Sequence, residues 1–132
     1  MVDSSFIVEA LLKRKELFEK EVDNEILSLD FALYEVANSI WKHENLIKDL
    51  NDGSAYLEIF LQLIESGEIR MIQPSSKLLH TSYQLASRRK ISVYDAVFVA
   101  LALELGVELR TFDKEQKRMY DSERRKKVQH SQ

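Results

Sequence analysis

Apolar positions along this chain switch repeatedly between helical and extended spacing. "SSFIVEALLKRKELFEKEV" at 4–22 carries apolar residues at helical period, with Ser4 or Ser5 near its start. "EILSLD" at 25–30 reads as a strand, after which Asp30 is expected to cap a long helix, "FALYEVANSIWKHENLI". That helix sets Leu33, Val36, Ala37, Ile40 and Ile47 on one face, and "NDG" at 51–53 ends it. A third helix, "SAYLEIFLQLIES", closes at Gly67, and the strand "EIRMIQP" stops at Pro74. "SSKLLHTSYQLASRRK" and "SVYDAVFVALALEL" follow as helices, the second apolar nearly all round and therefore expected in the core. "VELRTF" reads as a strand and "DKEQKRMYDSERRKK" as a polar last helix, while "MVD" at the start leaves only a stub of strand. Strands alternating with helices predict an α/β domain with a mostly parallel sheet.

Composition narrows the class. A chain of 132 residues with no linker or repeat predicts one domain over 1–132, with 118–132 a charged helix end or tail. It holds no cysteine, so disulfides and thiolate metal sites are excluded. Three scattered histidines, His43, His80 and His130, do not make a structural zinc site. "MVDSSFIVEALLKRKE" turns charged too early for a signal peptide, and the longest apolar run, "AVFVALAL", is far short of the ~20 residues that span a bilayer. The expectation is a soluble cytoplasmic protein. Its net charge of -3 conceals an asymmetry: residues 1–87 carry 8 basic and 15 acidic groups, and residues 110–132 carry 8 and 4. With Arg88, Arg89 and Lys90, the basic end suits a polyanion or, equally, a solvated tail.

In open α/β sheets, sites form beyond the carboxyl ends of the strands. Asp3, after the first strand, and Asp113, after the last, belong at that edge; Asp95, at a helix start, faces it; Glu35 leans over it from the second turn of its helix. Carboxylates gathered this way suit a hard cation such as Mg²⁺ or Mn²⁺, and hence phosphodiester hydrolysis. Each acid also has an ordinary structural account. "SVYD" is a possible capping box around Asp95, Asp113 and Asp3 can cap the helices that follow them, and Glu35 can be a solvent-facing glutamate.

"MVDSS" at the start, "LDFALYEVANSIWK" at 29–42 and "SVYDAVFVALALELGVELRTFDKE" at 92–115, with the total length, resemble the PIN domain family, and more narrowly its VapC-type toxin ribonucleases. The resemblance reaches to about residue 117. It implies a three-layer α/β/α sandwich, with four strands here and a fifth not evident in the charged tail. It further implies Mg²⁺- or Mn²⁺-dependent endoribonuclease activity, an RNA substrate, a neutralising antitoxin and a homodimer. By the same resemblance Asp3, Glu35, Asp95 and Asp113 are the metal-binding and catalytic acids, and Thr111 is the hydroxyl residue beside the last of them. Only two residues precede Asp3, so the first strand is expected to be short. The apolar surplus in "AYLEIFLQLI" leaves room for a partner surface or is simply core.

Two other classes compete with this one. A PIN-like module that binds RNA or protein without cleaving it keeps the same fold. A phosphoacceptor domain wants an aspartate after the central strand, where "RMIQP" offers none, and an Asp-x-Asp phosphatase is disfavoured because Ser-Ser-Phe follows Asp3.

Overall fold

The computed structural model describes residues 1–21 and 25–131, with side chains described as far as residue 129. The chain folds as two compact units, residues 2–73 and Met1 together with the residues from Pro74 onward.

The first unit contains α1 (Ser4–Leu12), α2 (Glu16–Glu19), β1 (Ile26–Leu29), α3 (Ala32–Lys42), α4 (Gly53–Glu65) and β2 (Ile69–Ile72). β1 and β2 pair in parallel, Ile26 opposite Ile69 and Leu29 opposite Ile72. All four β1 residues are buried, as in a strand covered on both faces. Val2 lies alongside β1: its N–H donates to the Leu27 carbonyl at 2.8 Å, and its own carbonyl accepts from the Ser28 hydroxyl at 2.8 Å.

Three local expectations change. The first helix breaks at Lys13, because the apolar stripe of Phe6, Ile7, Ala10 and Leu11 would next place Arg14 and Lys15 in the core. The chain turns instead and resumes as α2, whose flank brings Phe18 edge-on to Phe6 with ring centroids 6.3 Å apart. The expected end of that helix, Val22, lies outside the described residues. Asp30 does not cap α3: its N–H extends the sheet to the Ile72 carbonyl, and Phe31 takes the cap position without a side-chain bond. The same helix stops before "NDG". A π-helical turn at His43–Ile47 and a left-handed Lys48 (φ 62°) end it, which rotates Ile47 off the apolar face and leaves it exposed. "NDG" instead starts α4. The Asp52 carboxylate accepts from the Ala55 N–H, and Gly53 sits where a Cβ would meet Ile40 Cγ2 and Glu44 Oε1 at 3.0 Å.

The second unit contains α5 (Ser76–Arg89), α6 (Val93–Leu105) and α7 (Lys114–Ser131). Seven consecutive α6 residues, Ala96 to Ala102, are buried, in keeping with its apolar surface all round. Gly106 ends it in the left-handed region (φ 68°). "VELRTF" alternates partly covered and exposed side chains, with Leu109 buried, but forms a single bridge: the Met1 amine donates to the Glu108 carbonyl at 3.1 Å, and Arg110 N–H donates to the Met1 carbonyl at 2.8 Å. The protein is thus a mixed α/β structure with a parallel sheet, as its alternation predicts. Among the described residues that sheet has two strands rather than four or five. Met1, Val2 and Arg110 make isolated bridging bonds without continuing as ladders, because Asp3 leaves the extended path at once to begin α1.

The basic residues of this unit are partly committed. Arg88 Nη2 and Arg89 Nε converge on Glu123 Oε1 at 3.2 and 3.0 Å, the glutamate side chain being 9% exposed, and Arg89 also donates to Ser122 Oγ at 2.7 Å. Lys127 Nζ donates to the Leu103 carbonyl at 2.7 Å and so satisfies an end group of α6.

On α4, Phe60 is fully buried, while Ile59 and Leu61 are each 42% exposed. Phe60→Ala is expected to cost about 3–5 kcal/mol in urea unfolding, against about 0.5 kcal/mol or less for Leu61→Ala. Equal losses would show that the two faces of α4 are buried alike.

Candidate active site

Each acid singled out from the sequence stands at the start of a helix. Asp3 is the N-cap of α1 and is 3% exposed. Its Oδ1 accepts from the Phe6 N–H at 3.0 Å and from the Ser5 hydroxyl at 2.7 Å. Glu35 lies in the first turn of α3, half-buried, and its Oε1 accepts from the Ser4 hydroxyl at 2.6 Å. The two adjacent serines of "DSS" therefore do different work: Ser5 turns back to Asp3, and Ser4 reaches across to α3. In the sequence they read only as a helix start.

In the second unit, Ser92 caps α6, its Oγ accepting from the Asp95 N–H at 3.2 Å. That is the serine half of the capping box expected from "SVYD". Asp113 caps α7, its Oδ1 accepting from the Glu115 and Gln116 N–H groups at 2.9 and 3.1 Å. Thr111 Oγ1 accepts from the Asp113 N–H at 2.9 Å and donates to Gln116 Oε1 at 3.3 Å. Gln116, 3% exposed, places Nε2 3.3 Å from the Asp95 carbonyl and 3.5 Å from Asp95 Oδ1. One side-chain amide thus links Asp95 and Thr111, and the backbone N–H of the same residue holds Asp113. Sequence reasoning missed it, although "DKEQ" has the spacing of a cap followed by glutamine at the third helical position.

The capping accounts of Asp3 and Asp113 are therefore correct as structure, and they do not compete with a chemical role. A carboxylate at a helix N-terminus is stabilised as an anion by the helix dipole and the unpaired N–H groups. Such an anion is an oxygen donor held in one orientation. The structure brings Asp3 and Glu35 together through the serines, and Asp95, Thr111 and Asp113 together through Gln116. Among the described residues, neither unit by itself gathers three or more His, Cys, Asp or Glu side chains at metal-ligating distance.

With acids at the starts of α1, α3, α6 and α7 in an α/β chain with a parallel sheet, residues 1–122 match the PIN domain family. The chain belongs to that family. It is similar to Ribonuclease VapC3 of Pyrobaculum aerophilum, with 34% identity over 121 residues, covering 87% of this chain and 89% of that protein. Its fold is similar to the crystal structure of PAE2754 from Pyrobaculum aerophilum, with a TM-score of 0.68 and 22% identity, covering 89% of this chain and 83% of the other.

Asp113 allows capping and chemistry to be separated. Asparagine caps a helix about as well as aspartate, whereas alanine costs about 0.5–2 kcal/mol. Asp113→Asn is expected to melt within a degree or two of wild type and Asp113→Ala clearly below it, by circular dichroism. A large loss in the asparagine variant would mean that the charge, not the cap, holds this helix end.

Proposed function

We propose that this protein is a metal-dependent endoribonuclease of the VapC type, the toxin of a toxin–antitoxin pair. The observation that carries the reading is the presence of Asp3, Glu35, Asp95 and Asp113, each at a helix start, in a PIN chain similar over most of its length to a ribonuclease.

The donor set fits the cation that the family implies. It is all oxygen, the sequence has no cysteine, and hydrogen bonds from Ser4, Ser5 and Gln116 fix individual carboxylate oxygens. Asp3, Asp95 and Asp113, helped by Glu35, would hold Mg²⁺ or Mn²⁺, which supplies phosphate charge neutralisation and a water of lowered pKa. The protein's own part is orientation. Ser5 and the α1 backbone set the Asp3 carboxylate, Ser4 sets Glu35, and Thr111 and Gln116 set the Asp95 and Asp113 side. The match over 1–122 takes in both units and supports reading them as one domain.

For the RNA, Arg88 and Arg89 are already committed to Glu123, so backbone contacts fall to the exposed Lys90, Arg124, Arg125 and Lys126. Affinity through them falls as salt rises. The exposed Ile59 and Leu61 of α4 support a homodimer surface, and the VapC reading brings an antitoxin as protein partner. Among the described residues no helix is long and apolar enough to cross a membrane. The reading places the protein in the cytoplasm with its RNA.

Incubating the purified protein with RNA and sequencing the new ends is expected to show discrete internal cuts with Mg²⁺ or Mn²⁺. None should appear in excess EDTA or with Asp95→Asn. Full cleavage in EDTA would overturn the metal-dependent route, and intact RNA under every condition would favour a non-catalytic binding module.

Light scattering at micromolar concentration is expected to give twice the 15.4 kDa chain mass. Replacing Ile59 and Leu61 together by Ser should shift the species toward monomer, whereas an unshifted dimer would place the contact on another face.

A further inference from the structure

We propose that Gln116 is a positioning residue for Asp95 and Thr111, orienting both through one buried amide. The inference rests on the ribonuclease reading above and concerns a residue which that reading does not need for binding the metal. A glutamine at the third position of a helix ordinarily turns back to the N-cap backbone N–H. Here Thr111 Oγ1 already accepts from the Asp113 N–H, at 2.9 Å. The Gln116 side chain is relieved of that duty and points toward α6.

Its amide acts at both ends. Nε2 is anchored by the Asp95 carbonyl at 3.3 Å and stands 3.5 Å from Asp95 Oδ1, the outer limit of a hydrogen bond. Oε1 accepts from the Thr111 hydroxyl at 3.3 Å. A buried amide requires partners for both groups, and at 3% exposure those partners come from the protein. The choice of side chain follows from this. Glutamate would set a second anion beside Asp95, methionine would fill the space with neither donor nor acceptor, and asparagine is one methylene too short to span from α7 to α6. Only glutamine supplies a donor to the carboxylate and an acceptor to the hydroxyl at this length. Gln116 does not itself contact the metal or the RNA. It acts by restricting where Asp95 and Thr111 point.

The test compares wild type with Gln116→Met, with Mn²⁺ alone as the probe. Thermal melts are taken in EDTA and across a Mn²⁺ titration, and RNA cleavage is measured at saturating Mn²⁺. The expected result is a half-saturating Mn²⁺ concentration raised about 10–100-fold, and a lower kcat with KM for RNA unchanged. A purely structural role would lower the melting temperature in EDTA and leave both of those readouts at wild-type values, and that outcome overturns the proposal. If wild type itself shows neither Mn²⁺ stabilisation nor cleavage, the metal-nuclease reading fails and this inference with it. A normal wild type beside an unaltered Gln116→Met sinks the inference alone. Should Gln116→Met not fold, Gln116→Asn is read in its place, with the same results for and against.

Discussion

A carboxylate withdrawn from water keeps its charge only where hydrogen-bond donors and positive potential replace the lost solvent. For the buried Asp3 the first turn of α1 supplies both. Asp3 accepts a backbone N–H of α1, Asp113 accepts two from α7, and Asp95 and Glu35 stand in the first turns of α6 and α3. Much else follows from that placement. Because Asp3 must cap α1, the chain leaves its extended path after Val2, and the bonds of Met1 and Val2 stay isolated. Because Asp113 must cap α7, the segment before it is held by the Thr111 hydroxyl on the Asp113 N–H. Helix starts are thus simultaneously the mechanical joints of the fold and the holders of its acids.

That double use explains what could be read from the sequence. The run of α6 and the short strands β1 and β2 were legible because burial of consecutive residues leaves an apolar run in the sequence. All four acids were legible as candidates because the alternation of strands and helices sets them at one edge of the expected sheet and because they match the pattern of the PIN domain. Their immediate partners were harder. Ser4 reaches Glu35 across 31 positions of sequence, and Gln116 reaches Asp95 across 21, and neither distance leaves a local pattern. Asp30 misled for the opposite reason: it has the chemistry of a cap, but its N–H was taken by the sheet. The break at Lys13 was written in the clash between apolar period and the "KRK" run, whereas the π-helical turn at His43 carried no such mark. Its His43–Asp49 contact at 2.8 Å becomes visible only once the chain has folded.

The charge asymmetry also takes on a narrower meaning. Read as a count, the second half of the chain offers a basic surface. In the structure, part of that charge is internal. Arg88 and Arg89 close on Glu123, and Lys127 closes on the end of α6. A guanidinium that donates to a carboxylate and a hydroxyl is a joint between α5 and α7 before it is a contact for any polyanion. The field that any polyanion would meet is set by the cations left over.

The Glu123 contact has a bearing on where this protein can be cut. Family similarity stops at residue 122, one position before the glutamate that neutralises both arginines. A chain shortened at that boundary would keep every acid of the candidate site. It would leave Arg88 and Arg89 without their shared counter-ion and α6 without its Lys127 end-bond. The matched stretch of sequence therefore ends inside α7, short of the contacts that tie that helix to α5 and α6.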